Sequence, residues 1–165
     1  MIDSIINYLA QIDKLFAVFV ISMFPIVELR GAIPIGVGLG LDLLHVYVIS
    51  VIGNMIPVPF IILFVRPIIE YLGKTKYFSK FANWLENRTM SKSYKIKKYK
   101  MLGLFLFVAI PLPGTGAWTG AALAGLMDMR LKDSLPMIFL GIVTAGIVMM
   151  LISYGLGSVI MSLFA

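Results

Sequence analysis

The chain has 165 residues, of which 60% are hydrophobic and 13% charged, with one His and no Cys. That balance belongs to an integral membrane protein and argues against a soluble enzyme or a nucleic-acid-binding domain. Disulfides, thiolate metal sites and a His-built metal cluster are excluded by the same counts, and the eleven methionines are scattered as apolar filler.

In chain order, residues 1–14 place Ile2, Ile5, Ile6, Leu9 and Ile12 at helical spacing, with Asp3, Ser4, Asn7 and Gln11 on the other side. This predicts an amphipathic helix at the membrane interface. No cleavable signal peptide is visible, because Asp3, Asp13 and Lys14 interrupt the start. Residues 15–41 hold two apolar limbs too short to cross, each about 15–20 Å as helix against a hydrocarbon core of about 30 Å. Between them lies Pro25-Ile26-Val27-Glu28-Leu29-Arg30-Gly31-Ala32-Ile33-Pro34. A Glu and an Arg in an apolar stretch broken by Pro and Gly predict a re-entrant hairpin. Broken backbone at depth is tolerated only under cover of protein or of a water-filled cavity. The second limb is expected to start near Ala32.

Residues 43–65 are long enough to span, with a distortion at Pro57 and Pro59. Residues 74–100 carry nine Lys/Arg and one Glu, a net of +8, whereas the rest of the chain nets −2. By the positive-inside rule this amphipathic segment is cytoplasmic, which predicts a multi-pass protein of the inner (plasma) membrane. Its partners are expected to be membrane lipids, chiefly anionic inner-leaflet headgroups, with no nucleic acid. Residues 101–127 repeat the limb–break–limb pattern around Pro111-Leu112-Pro113-Gly114-Thr115-Gly116, and residues 135–164 are an uncharged second span.

A shift of 86 residues sets Pro25 on Pro111 and Asp42 on Asp128. The fold class is therefore an all-α integral membrane protein with an inverted repeat. Each half is a re-entrant helical hairpin plus a transmembrane helix, in one membrane domain flanked by interfacial helices. Hairpins that cross completely are the rival topology. Labelling of a cysteine placed at position 3 separates them, since both termini are external in the re-entrant case and cytoplasmic in the other.

The candidate binding residues are Glu28, Arg30, Gly31, Pro34, Pro111, Pro113, Gly114, Thr115, Gly116 and Asn54. Glu28 is the candidate proton carrier, because partial burial raises a carboxyl pKa. Arg30 stays charged and can grip a phosphate or carboxylate with two hydrogen bonds. A bland reading stands beside this one, in which Glu28 and Arg30 neutralise each other and pin the hairpin. Helix N-termini at Ala32 and Ala117 would favour an anion; the Gly/Thr run equally reads as a device for tight packing. Trp118 reads as a packing residue more than a stacking one. Asn54 and Thr144 could line a polar path or satisfy backbone. Asp42 and Asp128 read as caps or interface turns, and His45 has no evident partner. No cofactor, metal or enzyme motif is recognised.

Glu28-Leu29-Arg30-Gly31-Ala32-Ile33-Pro34 together with Pro111-Leu112-Pro113-Gly114-Thr115-Gly116 resembles the small multidrug export family, which is similar to the DedA superfamily. The resemblance covers nearly the whole chain. It implies paired re-entrant hairpins facing one another, with Glu28, Arg30 and the Pro-Gly breaks at a central site. It also implies movement of polyprenyl-phosphate or another lipid carrier. The second hairpin lacks the arginines usual in DedA proteins, which weakens the lipid-phosphate expectation. Proton-coupled movement of an anionic amphiphile is the leading expectation. Efflux of cationic compounds and a structural or assembly role are the alternatives, and a homodimer is expected from the small lateral surface.

Overall fold

A computed structural model describes residues 2–73, 95–112 and 114–164, with side chains placed for residues 12–69, 71, 99–112 and 114–155. Every described regular element is a helix: α1 (Ile2–Met23), α2 (Glu28–Gly38), α3 (Leu43–Met55), α4 (Pro57–Gly73), α5 (Lys95–Ala109), α6 (Ala117–Leu126) and α7 (Leu131–Phe164). Most of the basic segment, residues 74–94, lies outside the described residues, and its last residues open α5.

Two boundaries in the first hairpin differ from the sequence expectation. The interfacial segment and the first limb are one continuous helix, α1, because nothing between Asp13 and Phe16 breaks the backbone ladder. The second limb starts at Glu28 instead of near Ala32. Residues 24–27 form a tight link, closed by Glu28 N–H donating to the Phe24 carbonyl at 2.9 Å and Gly31 N–H to the Val27 carbonyl at 2.9 Å. An acidic residue in the first helical turn also suits the positive end of the helix dipole. Between α3 and α4 the helical ladder is interrupted where Pro57 lacks an N–H, as the sequence predicts. Proline at the first position of α4 costs little, since that donor has no partner inside a helix.

The chain divides into two compact units. The first comprises α1, α2, α3 and the part of α7 from Ile142 onward; the second runs from Pro57 to Gly141. In the first, α2 folds back along α1, and Lys14 Nζ donates to the Leu39 carbonyl at 3.3 Å across the open end of this hairpin. Val18, Ala32, Ile33 and Val46 are fully buried at its centre. A β-carbon on Gly36 would stand 2.7 Å from a Val46 methyl, so α2 and α3 touch backbone to side chain there. Within the same unit the Tyr47 hydroxyl donates to the Val143 carbonyl at 3.2 Å. The second unit buries Leu104, Val108, Ala117, Ala121 and Ala124 among α5 and α6, and Val58 and Ile62 from α4.

Local geometry recurs along the chain at two offsets. After α2, the N–H groups of Leu39, Gly40 and Leu41 donate to the carbonyls of Ile35, Val37 and Gly36. After α6, those of Met127, Asp128 and Met129 donate to Leu123, Gly125 and Ala124, each 88 residues on. Gly40 (φ 75°) and Asp128 (φ 52°) take the left-handed position that ends each helix. The following helices begin at Leu43 and Leu131, again 88 apart, whereas α1 and α5 end at Met23 and Ala109, 86 apart. The register thus shifts by two residues across the breaks, and α6 starts one residue later in it than α2, so the second break is seven residues long against four. The 86-residue register holds for the first limbs only, and beyond the breaks Glu28 corresponds to Gly116 and Arg30 to Trp118.

Many outward side chains are large and apolar. Ile26 is 95% exposed, Leu151 69% and Phe16 66%, which in water would leave large apolar patches uncovered. Two apolar stretches, Leu43–Ile69 and Leu131–Gly155, are long enough to cross a bilayer.

Candidate functional site

Apart from Ser153 on α7, the polar residues buried in the first unit, Ser22, Glu28, Ser50 and Asn54, lie towards the closed end of its hairpin. Ser22 ends α1, and its hydroxyl donates to the Phe19 carbonyl at 2.6 Å. Glu28 opens α2 with φ 49° and is 4% exposed. Ser50 and Asn54 lie one turn apart on α3, and neither has any exposed surface.

Helix geometry sets these groups opposite each other. Gly36 touches Val46 near the open end, and α2 and α3 run in opposite directions from the turn that joins them. Two turns back along α2, and about 12 Å away at 1.5 Å per residue, is Glu28; the same distance forward along α3 is Asn54. Positions 28, 32 and 36 share one helix face, as do 46, 50 and 54. The row Glu28–Ala32–Gly36 therefore faces the row Val46–Ser50–Asn54. A second contact fixes the same level: a β-carbon on Gly53 would stand 2.6 Å from the Phe19 carbonyl and would collide with the Ser22 hydroxyl. Only glycine lets α3 approach the last turn of α1 this closely.

Among the described residues, the Ser50 hydroxyl and both polar atoms of the Asn54 amide have no hydrogen-bond partner. Leaving such a buried group unsatisfied costs roughly 1–3 kcal/mol. Arg30, two residues beyond Glu28, is half-buried and within electrostatic range of it, but sits about 200° around the helix and so off the row that faces α3.

The remaining sequence candidates are dispersed. Gly31 is half-buried against Val27, and Pro34 is exposed, away from the Glu28 row. In the second unit Pro111 is half-buried, Gly114 is exposed with φ 81°, and Gly116 is buried with φ 143°. Pro113 lies outside the described residues. The Thr115 hydroxyl reaches the carbonyls of Ile110 and Leu112, each at 2.9 Å, and Leu112 N–H reaches it at 3.3 Å, so Thr115 ties the second break together. Trp118 and Thr144 are half-buried and have interactions of their own. Asp42 caps α3, accepting from the N–H groups of Leu44 and His45 at 3.1 Å each, and His45 does have a partner, its Nδ1 lying 2.7 Å from the Asp42 carboxylate. The His45 backbone N–H, then the His45 ring, hold the Asp42 carboxyl below its ordinary range. Asp128 pairs with Arg66.

Sequence reading missed Ser50 and Ser22. The available signal was a serine one turn before Asn54 in an otherwise apolar span.

Helices throughout, apolar outer faces, two stretches of membrane-crossing length and a buried polar break define a helical membrane protein. The chain belongs to the family described as "Putative small multi-drug export protein", which it matches over residues 28–148, from Glu28 into α7. No curated protein and no solved structure matches it. Likeness to the DedA superfamily, and with it the lipid-carrier expectation, gains nothing from these comparisons.

Proposed function

We propose that the protein exports small cationic amphiphiles across the membrane, with Glu28 as their counter-charge. The observation that carries this reading is the placement of Glu28: buried, on the α2 row that faces Asn54, at the closed end of a half-length hairpin. The stretch Leu43–Ile69 has its midpoint at Ile56, one turn past Gly53, which packs against the end of α1. From Lys14 to Met23 the limb rises about 14 Å, close to half of a hydrocarbon core of about 30 Å. A carboxylate at that depth attracts a cation strongly, because little water screens it. The re-entrant reading of this hairpin rests on the same depth argument, and the inverted-repeat reading on the recurring helix ends. Membership of a small multidrug export family supports export as the direction.

The anionic-amphiphile reading depends on Arg30. Its guanidinium lies within range of Glu28, whose charge offsets what an anion would need.

Efflux of a lipophilic fluorescent cation from proteoliposomes tests the proposal. Glu28→Gln is expected to abolish efflux, while Arg30→Ala retains part of it. Loss of transport of an anionic amphiphile in Arg30→Ala, with Glu28→Gln unaffected, would replace this reading with the anion carrier.

A further inference from the structure

Glu28 alone would serve a proton or a cationic substrate. It does not account for two more oxygen-bearing side chains, on α3, set fully inside the same unit with unmet hydrogen-bonding capacity. We propose that Ser50, Asn54 and Glu28 form a site for a sodium ion, which is the coupling ion of the transport reading above and rests on it.

The ligand chemistry is that of a hard monovalent cation. Hard cations take oxygen ligands. Asn54 offers a carbonyl oxygen and Ser50 a hydroxyl, both buried and unpartnered. The Ser22 hydroxyl, directly against Gly53 across the helix contact, donates to the Phe19 carbonyl and keeps its lone pairs available. One carboxylate among neutral oxygens balances a charge of +1; a divalent ion would ask for more acid. Both helix ends at the link suit these charges: the negative end of α1 favours a cation, and the positive end of α2 an acidic side chain in its first turn. Broken helices inside membrane proteins hold coupling ions in this way. Small facing residues, Ala32 opposite Ser50 and Gly36 opposite Val46, bring α2 and α3 close and suit a small ion over potassium. An ion that retains one water also gives the Asn54 Nδ2 group an acceptor.

Thermal unfolding of the purified full chain tests this without transport. At constant ionic strength, NaCl replacing choline chloride is expected to raise the melting temperature saturably, and KCl is expected to do so far less. Asn54→Leu, similar in size, should unfold at a temperature independent of sodium. Should that variant not fold, Ser50→Ala serves instead, with an apparent sodium affinity about tenfold weaker. Equal behaviour in sodium, potassium and choline, or an unchanged sodium response in both variants, overturns the site. The two readings separate in proteoliposomes. A sodium-specific shift without cation efflux leaves the ion site standing and removes the export reading. Efflux driven by a proton gradient, with no sodium shift, does the reverse.

Discussion

Residues 24–41 and 110–129 follow one backbone plan and differ in chemistry. Each opens with a break, continues into a short helix, and leaves through the same three hydrogen bonds and one left-handed residue. The first break is four residues long and is followed at once by a buried acid and an arginine. The second is seven residues long, carries no charge, and is held by the Thr115 hydroxyl and two glycines at positive φ. Geometry and charge are thus separable tasks. A break inside an apolar protein must satisfy its own backbone polar groups, whatever else it does. The first does this by restarting the helix immediately, which leaves its side chains for chemistry. The second gives a side chain to its own backbone and has none left over.

Changes on the two sides should separate accordingly. Glu28→Gln is expected to cut cation efflux by tenfold or more with little effect on folding, whereas Thr115→Val should leave efflux per folded molecule nearly intact; equal losses in both would erase the distinction. Next in size, Gly125→Val should destabilise the second unit by about 1–3 kcal/mol, because an added side chain meets Val65 and lies against the Ile62 carbonyl. Thermal melting reads that cost, and an unchanged midpoint would show that α4 and α6 are less tightly apposed than described. Thr115→Val should cost about 1 kcal/mol or somewhat more for the hydrogen bonds lost at the break, visible as faster amide exchange around Leu112. Arg66→Gln removes a half-exposed ion pair to Asp128 and should shift stability by less than about 1 kcal/mol, an effect that salt suppresses.

The smallest effect concerns pH at the exit of the first hairpin. The folded state holds the Asp42 carboxyl below its ordinary value, so its capping contribution is present above the unfolded carboxylate pKa of about 3.9 and is lost as pH falls through the folded value. Asp42→Ala should therefore melt slightly below wild type at neutral pH, and the gap should close in acid. A gap that persists in acid would mean that the carboxylate is not what holds α3 at its start.

Much of this was legible in composition and pattern. Helices throughout followed from apolar runs punctuated by Pro and Gly, and the distortion at Pro57 from a missing N–H. Glu28 and Arg30 stood out because charge in an apolar stretch is costly. The exact register was harder. An 86-residue shift matches Pro25 to Pro111, but the second break is three residues longer, and loop length does not show in a hydrophobic pattern. The start of α2 was placed four residues late, since Pro34 and Gly31 read as breakers when the helix in fact runs through both. Ser50 passed unnoticed because a serine in an apolar span is ordinary until its burial and its lack of a partner are known.

The sequence by itself determined an all-helical chain built for an apolar surround, two broken hairpin segments, and charge in one of them only. Periodicity, proline chemistry and the cost of an intramembrane charge act locally or through composition, so they can be read from letters. Tertiary structure alone decided that Ser50 and Asn54 are buried on the α3 row opposite the α2 row that Glu28 opens, and that Arg30 lies off that row. Those relations depend on how closely α2 and α3 approach at Gly36 and Val46 and how closely α3 meets α1 at Gly53. Close packing between helices is a property of surfaces brought together, and no single stretch of sequence contains it.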